Sequence, residues 1–192
     1  QTHGKITSIV EPEDLTPGGA VLTDAVYFHG RWQDKFDSSS TSDQDFKLET
    51  GAAKKVPLMT ETDQYRYYET SDYQVVSIPY GNGSTSFWVV LPKAGDTVGK
   101  IASAMTADTW TKLTSSANFK SVELYLPKFH VDTSVGLIET LKGLGINSAF
   151  SDHAADFSRM SESPLYVSSV RHKATLDVDE NGTVATAVTS IG

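Results

Sequence analysis

Residues 172–192, "HKATLDVDENGTVATAVTSIG", decide how the rest of the chain is read, because their character changes halfway. From His172 to Glu180 the pattern alternates, with Ala174, Leu176 and Val178 on one face and Thr175, Asp177 and Asp179 on the other. That period of two predicts a strand. Asn181-Gly182 then marks a turn. From Thr183 to Ser190 there is no charge, no Pro and no side chain larger than Val. A disordered tail is ordinarily polar and charged. This one has the composition of a segment that enters a sheet.

Around that stretch, composition sets the limits. The chain has 192 residues with 39% hydrophobic content, enough for one large domain with a buried core. The net charge of −8 argues against nucleic acid or an anionic membrane as partner, since both select a clustered positive surface. The densest basic spots, Lys54-Lys55 and Arg171-His172-Lys173, are too short to line a groove. The absence of cysteine removes disulfides, thiolate metal sites and cysteine nucleophiles together. No apolar run approaches the roughly 18–20 residues of a membrane-spanning helix. The opening "QTHGKITSIVEPEDL" has no initiator Met and starts in polar sequence, which reads as a fragment or a proteolytic piece.

Strand patterns dominate the remainder. Residues 20–32, "AVLTDAVYFHGRW", read as a strand after the Pro17-Gly18-Gly19 turn. Residues 36–59 read as polar loop with one short strand around Phe46 and Leu48. From Tyr65 to Lys93 the pattern is a meander with a hairpin turn at Gly81-Asn82-Gly83. Helical spacing runs through Val98, Ile101, Ala102 and Met105 and then Trp110 and Leu113, with Thr106 as the cap of the second piece. Val122, Leu124 and Leu126 alternate up to Pro127, and "VGLIETLKGLG" is a short amphipathic helix. "PLYVSSVRHKATLDVDE" is the longest predicted strand. The mixed order without a βαβ rhythm predicts an α+β fold with large antiparallel or mixed sheets, as one domain over 1–192.

Active-site motifs fail one by one. "GDTVGKI" has its glycines, Gly95 and Gly99, one residue too close for a phosphate-binding loop, and Ile101 stands where a Ser or Thr would hold Mg²⁺. No nucleophile elbow occurs. His3, His29, His130, His153 and His172 are scattered without metal-ligand spacing, so no metal or other cofactor is expected. Asn82-Gly83-Ser84 and Asn181-Gly182-Thr183 match the glycosylation triplet, a pattern that arises often by chance. None of this chemistry is that of an enzyme.

Five blocks in order carry a family likeness: "DAVYFHGRW", "KKVPLM", "SIPYGNGSTSFWVVLP", "VELYLPKFHVDTSVGLIETLKGLGINSAF" and "PLYVSSVRHKATLDVDENGTVATA". Together they resemble the central and C-terminal part of a serpin, up to the hinge of the reactive-centre loop. The N-terminal helices and the strands that follow the loop have no counterpart here. The resemblance implies a protease inhibitor whose cleaved loop inserts into the main sheet and traps the acyl-linked protease. The alternative is a non-inhibitory serpin acting as carrier or chaperone, which keeps the fold but usually corrupts the hinge.

The resemblance also implies residue roles. Gly182, Thr183, Val184, Ala185, Thr186, Ala187, Val188 and Thr189 are the hinge, within a loop segment 181–192. Trp32, Lys128 and Glu180 match the breach, the top of the main sheet where insertion begins. His172 matches the shutter histidine, with Asp24 standing where the family has Asn, a change that would add charge to the pair or tie it to pH. An isolated strand Trp is ordinarily core, and an exposed Lys–Glu pair is worth under about 1 kcal/mol. Only the ordered blocks lift these residues above that plain reading.

The expected partners are a target protease of the serine or cysteine class and the remainder of the same serpin as separate chains. The cleaved bond would fall beyond Gly192, so the target stays unnamed. The cysteine-free, Ser/Thr-rich composition is compatible with a microbial protein exported from the cell.

Overall fold

The computed structural model describes residues 22–191, with side chains from Val26 onward. Nine strands and three helices are formed among them: β1 (Leu22–Arg31), β2 (Ser42–Lys47), β3 (Ala53–Glu69), β4 (Tyr73–Tyr80), β5 (Thr85–Pro92), α1 (Val98–Ala104), α2 (Ala107–Ser116), β6 (Asn118–Pro127), β7 (Phe129–Gly136), α3 (Ile138–Gly143), β8 (Val170–Asp179) and β9 (Gly182–Ile191). They divide into two compact units. Among the described residues, the first takes in 22–29, 130–177 and 184–191; the second takes in Gly30–Phe129 and Val178–Thr183.

The second unit is built on a five-stranded antiparallel sheet in the order β2-β3-β4-β5, with β6 also paired to β3. Its spine is β3, seventeen residues long. Lys47↔Ala53 to Ser42↔Leu58 ties its first third to β2, Leu58↔Pro127 to Tyr67↔Asn118 ties the stretch after it to β6, and Arg66↔Ser77 to Glu69↔Gln74 ties its end to β4. This corrects two sequence expectations. Ala53–Met59 is strand, not loop, and β3 is longer than β8, which begins only at Val170. Polar side chains hid the first third of β3, because β2 and β3 pair there through backbone and leave both faces largely in water.

Met59, Val75, Ile78, Leu113 and Val178 are the most deeply buried large side chains of this unit. The helical spacing reads correctly. Thr106 caps α2 by accepting from the Thr109 amide, and Thr97 does the same for α1 from Lys100. Arg66 closes the other end of α2, donating to the carbonyls of Thr114 and Ala117 where the helix dipole is negative.

The first unit carries most of a four-stranded sheet in the order β1-β9-β8-β7. The C-terminal segment is therefore an interior strand, with β1 on one side and β8 on the other. Bare composition explains why it fits there. Small and β-branched side chains pack on a pleated sheet without needing water on either face. Among the described residues no helix is long and apolar enough to cross a membrane.

Candidate functional site

The tight connection between β8 and β9 is Glu180-Asn181, and its geometry allows few alternatives. Oδ1 of Asp179 accepts from the amides of Asn181 (2.7 Å) and Gly182 (3.3 Å). The Trp32 amide donates to the Asn181 carbonyl at 3.0 Å, and the Phe36 amide to that of Glu180 at 3.1 Å. Gly182 presses on the Gly30–Arg31 backbone so closely that a Cβ would sit 2.0 Å from the Gly30 oxygen. No other residue fits.

Trp32, Lys128 and Glu180 come together at this connection. Trp32 is 3% exposed, stacks on Tyr80 with ring centres 4.7 Å apart, and donates from Nε1 to the Asp179 carbonyl at 2.8 Å. Phe36 and Phe87 complete the aromatic cluster. Lys128 Nζ reaches both carboxylate oxygens of Glu180, at 3.0 and 2.8 Å. The Thr41 hydroxyl donates to the same carboxylate at 2.9 Å.

The Glu180 side chain is only 13% exposed. Burial alone would push its pKa up, but the hydrogen bonds from Lys128, its own backbone and Thr41, with the Lys128 charge, hold it below the ordinary glutamate value.

Two residues of this cluster, Thr41 and Tyr80, are absent from the sequence expectation. The Tyr80 hydroxyl donates to the Thr183 hydroxyl at 2.7 Å, in a site where both are buried. Nothing local marks them. Thr41 sits in a polar loop and Tyr80 ends an ordinary strand, and each acquires its partner across long sequence separations.

Along β9 the burial has a definite phase. Thr183 is 2% exposed; beyond it Thr186, Val188 and Ser190 are buried, while Ala185, Ala187 and Thr189 are half-buried. The hydroxyls of Thr186 and Ser190 find no hydrogen-bond partner among the described residues. In the first unit, His172 Nδ1 lies 2.9 Å from the Thr189 hydroxyl. The pairing of His172 with Asp24 lies outside the described residues. Among the described residues, no group of three or more His, Asp or Glu side chains is arranged to hold a metal ion.

Comparison with known proteins puts this arrangement in context. The model of the family described as serpin (serine protease inhibitor) matches residues 1–192. Antichymotrypsin-2 of Bombyx mori is 35% identical over 191 residues, covering 97% of this chain and 51% of that protein. The chain thus spans about half the length of the curated relatives it matches.

Among solved structures, reactive loop cleaved human thyroxine binding globulin superposes with a TM-score of 0.90 at 30% identity, covering 99% of this chain and 56% of that one. The thermophilic serpin tengpin in its latent state superposes with a TM-score of 0.83 at 32% identity, covering 99% and 52%. A family match over the whole sequence, with the same α+β architecture in both structures, leaves one conclusion: this chain belongs to the serpin family.

Proposed function

We propose that the protein of which this chain is part inhibits a protease by the serpin route, with residues 182–191 as the part of the reactive loop that enters the sheet. The observation that carries this reading is β9 itself. It stands between β1 and β8, and from Thr183 to Ser190 none of its residues is charged, Pro or larger than Val. A buried charge there would cost several kcal/mol and stall entry into the sheet. Ten residues added as an interior strand gain on the order of ten ladder hydrogen bonds, each worth about 1 kcal/mol net. That sum rivals the whole stability of an ordinary domain. The form without the strand is therefore metastable, and cleavage releases the difference.

In this reading Trp32, Lys128 and Glu180 form the breach, with Thr41 and Tyr80 joined to it. Glu180 and Gly182 fix the point from which the strand enters, and Thr183 is its first buried side chain. His172 is the shutter residue, and its bond to Thr189 exists only once the strand is in place. Thyroxine binding globulin, a neighbour with a ligand in its name, warns that the fold alone does not separate inhibitor from carrier. The clean hinge favours the inhibitor.

The test is mixing full-length protein with serine and cysteine proteases and looking for a covalent complex that survives SDS. The expected result is such a complex with at least one protease, alongside a cleaved form that melts far above the uncleaved one. Cleavage without either outcome would make the carrier reading the better one.

A further inference from the structure

We propose that Asn181-Gly182 is a spontaneous deamidation site whose opening is controlled by the position of the loop: shielded while residues 182–191 lie in the sheet, and open when they do not. The inference rests on the insertion reading above and adds a modification to it. An asparagine followed by glycine is chemically exposed, because glycine has no Cβ to obstruct attack by its own amide. The Gly182 nitrogen gives up its proton and bonds to Cγ of Asn181. The Cγ–Nδ2 bond breaks, and the nitrogen departs as ammonia. Water then opens the resulting succinimide at one carbonyl or the other, giving aspartate or the isoaspartyl isomer. No electron acceptor is required.

The arrangement seen here blocks the first step while leaving the Asn181 side chain exposed to solvent. The attacking amide of Gly182 donates to Asp179 Oδ1 at 3.3 Å. The Asn181 amide donates to the same oxygen at 2.7 Å, and the Asn181 carbonyl accepts from Trp32 at 3.0 Å. Gly182 cannot swing, because it is packed on the backbone of Gly30 and Arg31. The peptide plane between the two residues is thus held on both sides. The Asp179 carboxylate also disfavours loss of the amide proton by placing negative charge beside it. Two of these restraints, the Trp32 bond and the packing of Gly182 on Gly30 and Arg31, reach a distant segment, and a loop that leaves the sheet at Gly182 gives them up and frees the local Asp179 turn to open.

The chemistry bears on function through its product. An isoaspartyl link runs the main chain through the former side chain, adding a methylene and moving the carbonyl that Trp32 engages. Either product places a second carboxylate beside Asp179. Molecules that age before cleavage would then carry a hinge that no longer fits its seat, while inserted molecules stay intact.

Asn82-Gly83 supplies an internal reference. There the Gly83 amide donates to the Tyr80 carbonyl at 2.8 Å and Asn82 Oδ1 accepts from the Ser84 amide at 3.1 Å, all within one hairpin.

The experiment incubates uncleaved and loop-cleaved full-length protein in mildly alkaline buffer and follows both asparagines by peptide mass spectrometry. Local restraint slows such reactions by the cost of opening, so Asn181 should convert about tenfold or more faster in the uncleaved form, with Asn82 alike in both. In the cleaved form, Asp179→Ala should speed Asn181 several-fold. Equal conversion of Asn181 in both forms, or no effect of Asp179→Ala, overturns the proposal. Melting temperatures of the same samples separate the two ideas. A cleaved form that melts well above the uncleaved one, yet deamidates equally, leaves insertion standing and removes only the shield.

Discussion

The two ends of the C-terminal hairpin strand are held in opposite ways. At Glu180–Thr183, Glu180 has Lys128 and Thr41, the Glu180 and Asn181 carbonyls have the Phe36 and Trp32 amides, and Thr183 has Tyr80. Farther along, Thr189 meets His172, but the buried hydroxyls of Thr186 and Ser190 meet nothing among the described residues. The first end is a fitted seat that depends on the identity of each residue. The second depends on smallness and on the absence of charge. On the proposed reading, a strand that enters a sheet along its whole length gains from this division: one end fixes register and the rest slides past many neighbours without needing particular ones.

The comparison is broken most severely at Thr183. Thr183→Arg would drive a guanidinium against Tyr80 in a site that is almost fully buried, costing several kcal/mol if it stays unpaired. If the protein inhibits by the proposed route, insertion should slow while the cleavage site is untouched, so that the acyl-protease hydrolyses first and inhibitor turns into substrate. Scoring covalent complex against cleaved product with full-length protein checks this. Undiminished complex formation would mean that the fitted seat is not where insertion begins.

Trp32→Phe tests the same end more gently. Phenylalanine keeps a ring against Tyr80 but loses the Nε1 bond to the Asp179 carbonyl. The expected loss is about 2 kcal/mol in the cleaved form, read by denaturant unfolding. A loss confined to the uncleaved form would place the tryptophan's work elsewhere.

Glu180→Gln is milder still and carries a pH signature. The folded Glu180 pKa lies below the ordinary glutamate value, so its stabilisation is complete above about pH 4.3 and disappears as pH falls through the lower folded value. Glutamine can still accept from Thr41 but cannot pair with the Lys128 charge. The variant should be about 1 kcal/mol less stable at neutral pH and should lose this part of the acid dependence. A variant with the same acid profile as the parent would show that the pair contributes nothing.

What could be read in the sequence divides along the same line. The smooth half of β9 is visible because its rule is compositional: a run without charge or bulk between Thr183 and Ser190 points to burial. Helix caps at Thr97 and Thr106 depend on neighbours a few residues away, and Thr106 was legible for that reason. That Trp32, Lys128 and Glu180 belong at one place is implied only by the family likeness. Their partners lie 52 to 147 residues apart in sequence, as in Lys128–Glu180 and Trp32–Asp179, and no local pattern encodes such pairs. Thr41 and Tyr80 were missed because they are ordinary residues in ordinary settings until the chain folds. The first third of β3 was missed for a different reason, since its order comes from backbone pairing to β2 while its side chains stay polar.

The smallest effect is expected at the permissive end, and its sign is reversed. The Thr186 hydroxyl is buried without a partner among the described residues, so folding strips it of water and returns nothing. Thr186→Val keeps the β-branched shape and removes the polar atom. It should therefore stabilise the inserted form by about 1 kcal/mol, with Ser190→Ala acting in the same direction but losing a little contact. Both gains should be absent before cleavage, when these side chains have not yet entered the sheet. Unfolding of cleaved and uncleaved full-length variants gives the two numbers separately. If Thr186→Val lowers the stability of the cleaved form, the hydroxyl has a partner supplied from outside residues 22–191, and the far half of β9 is as closely fitted as the near half.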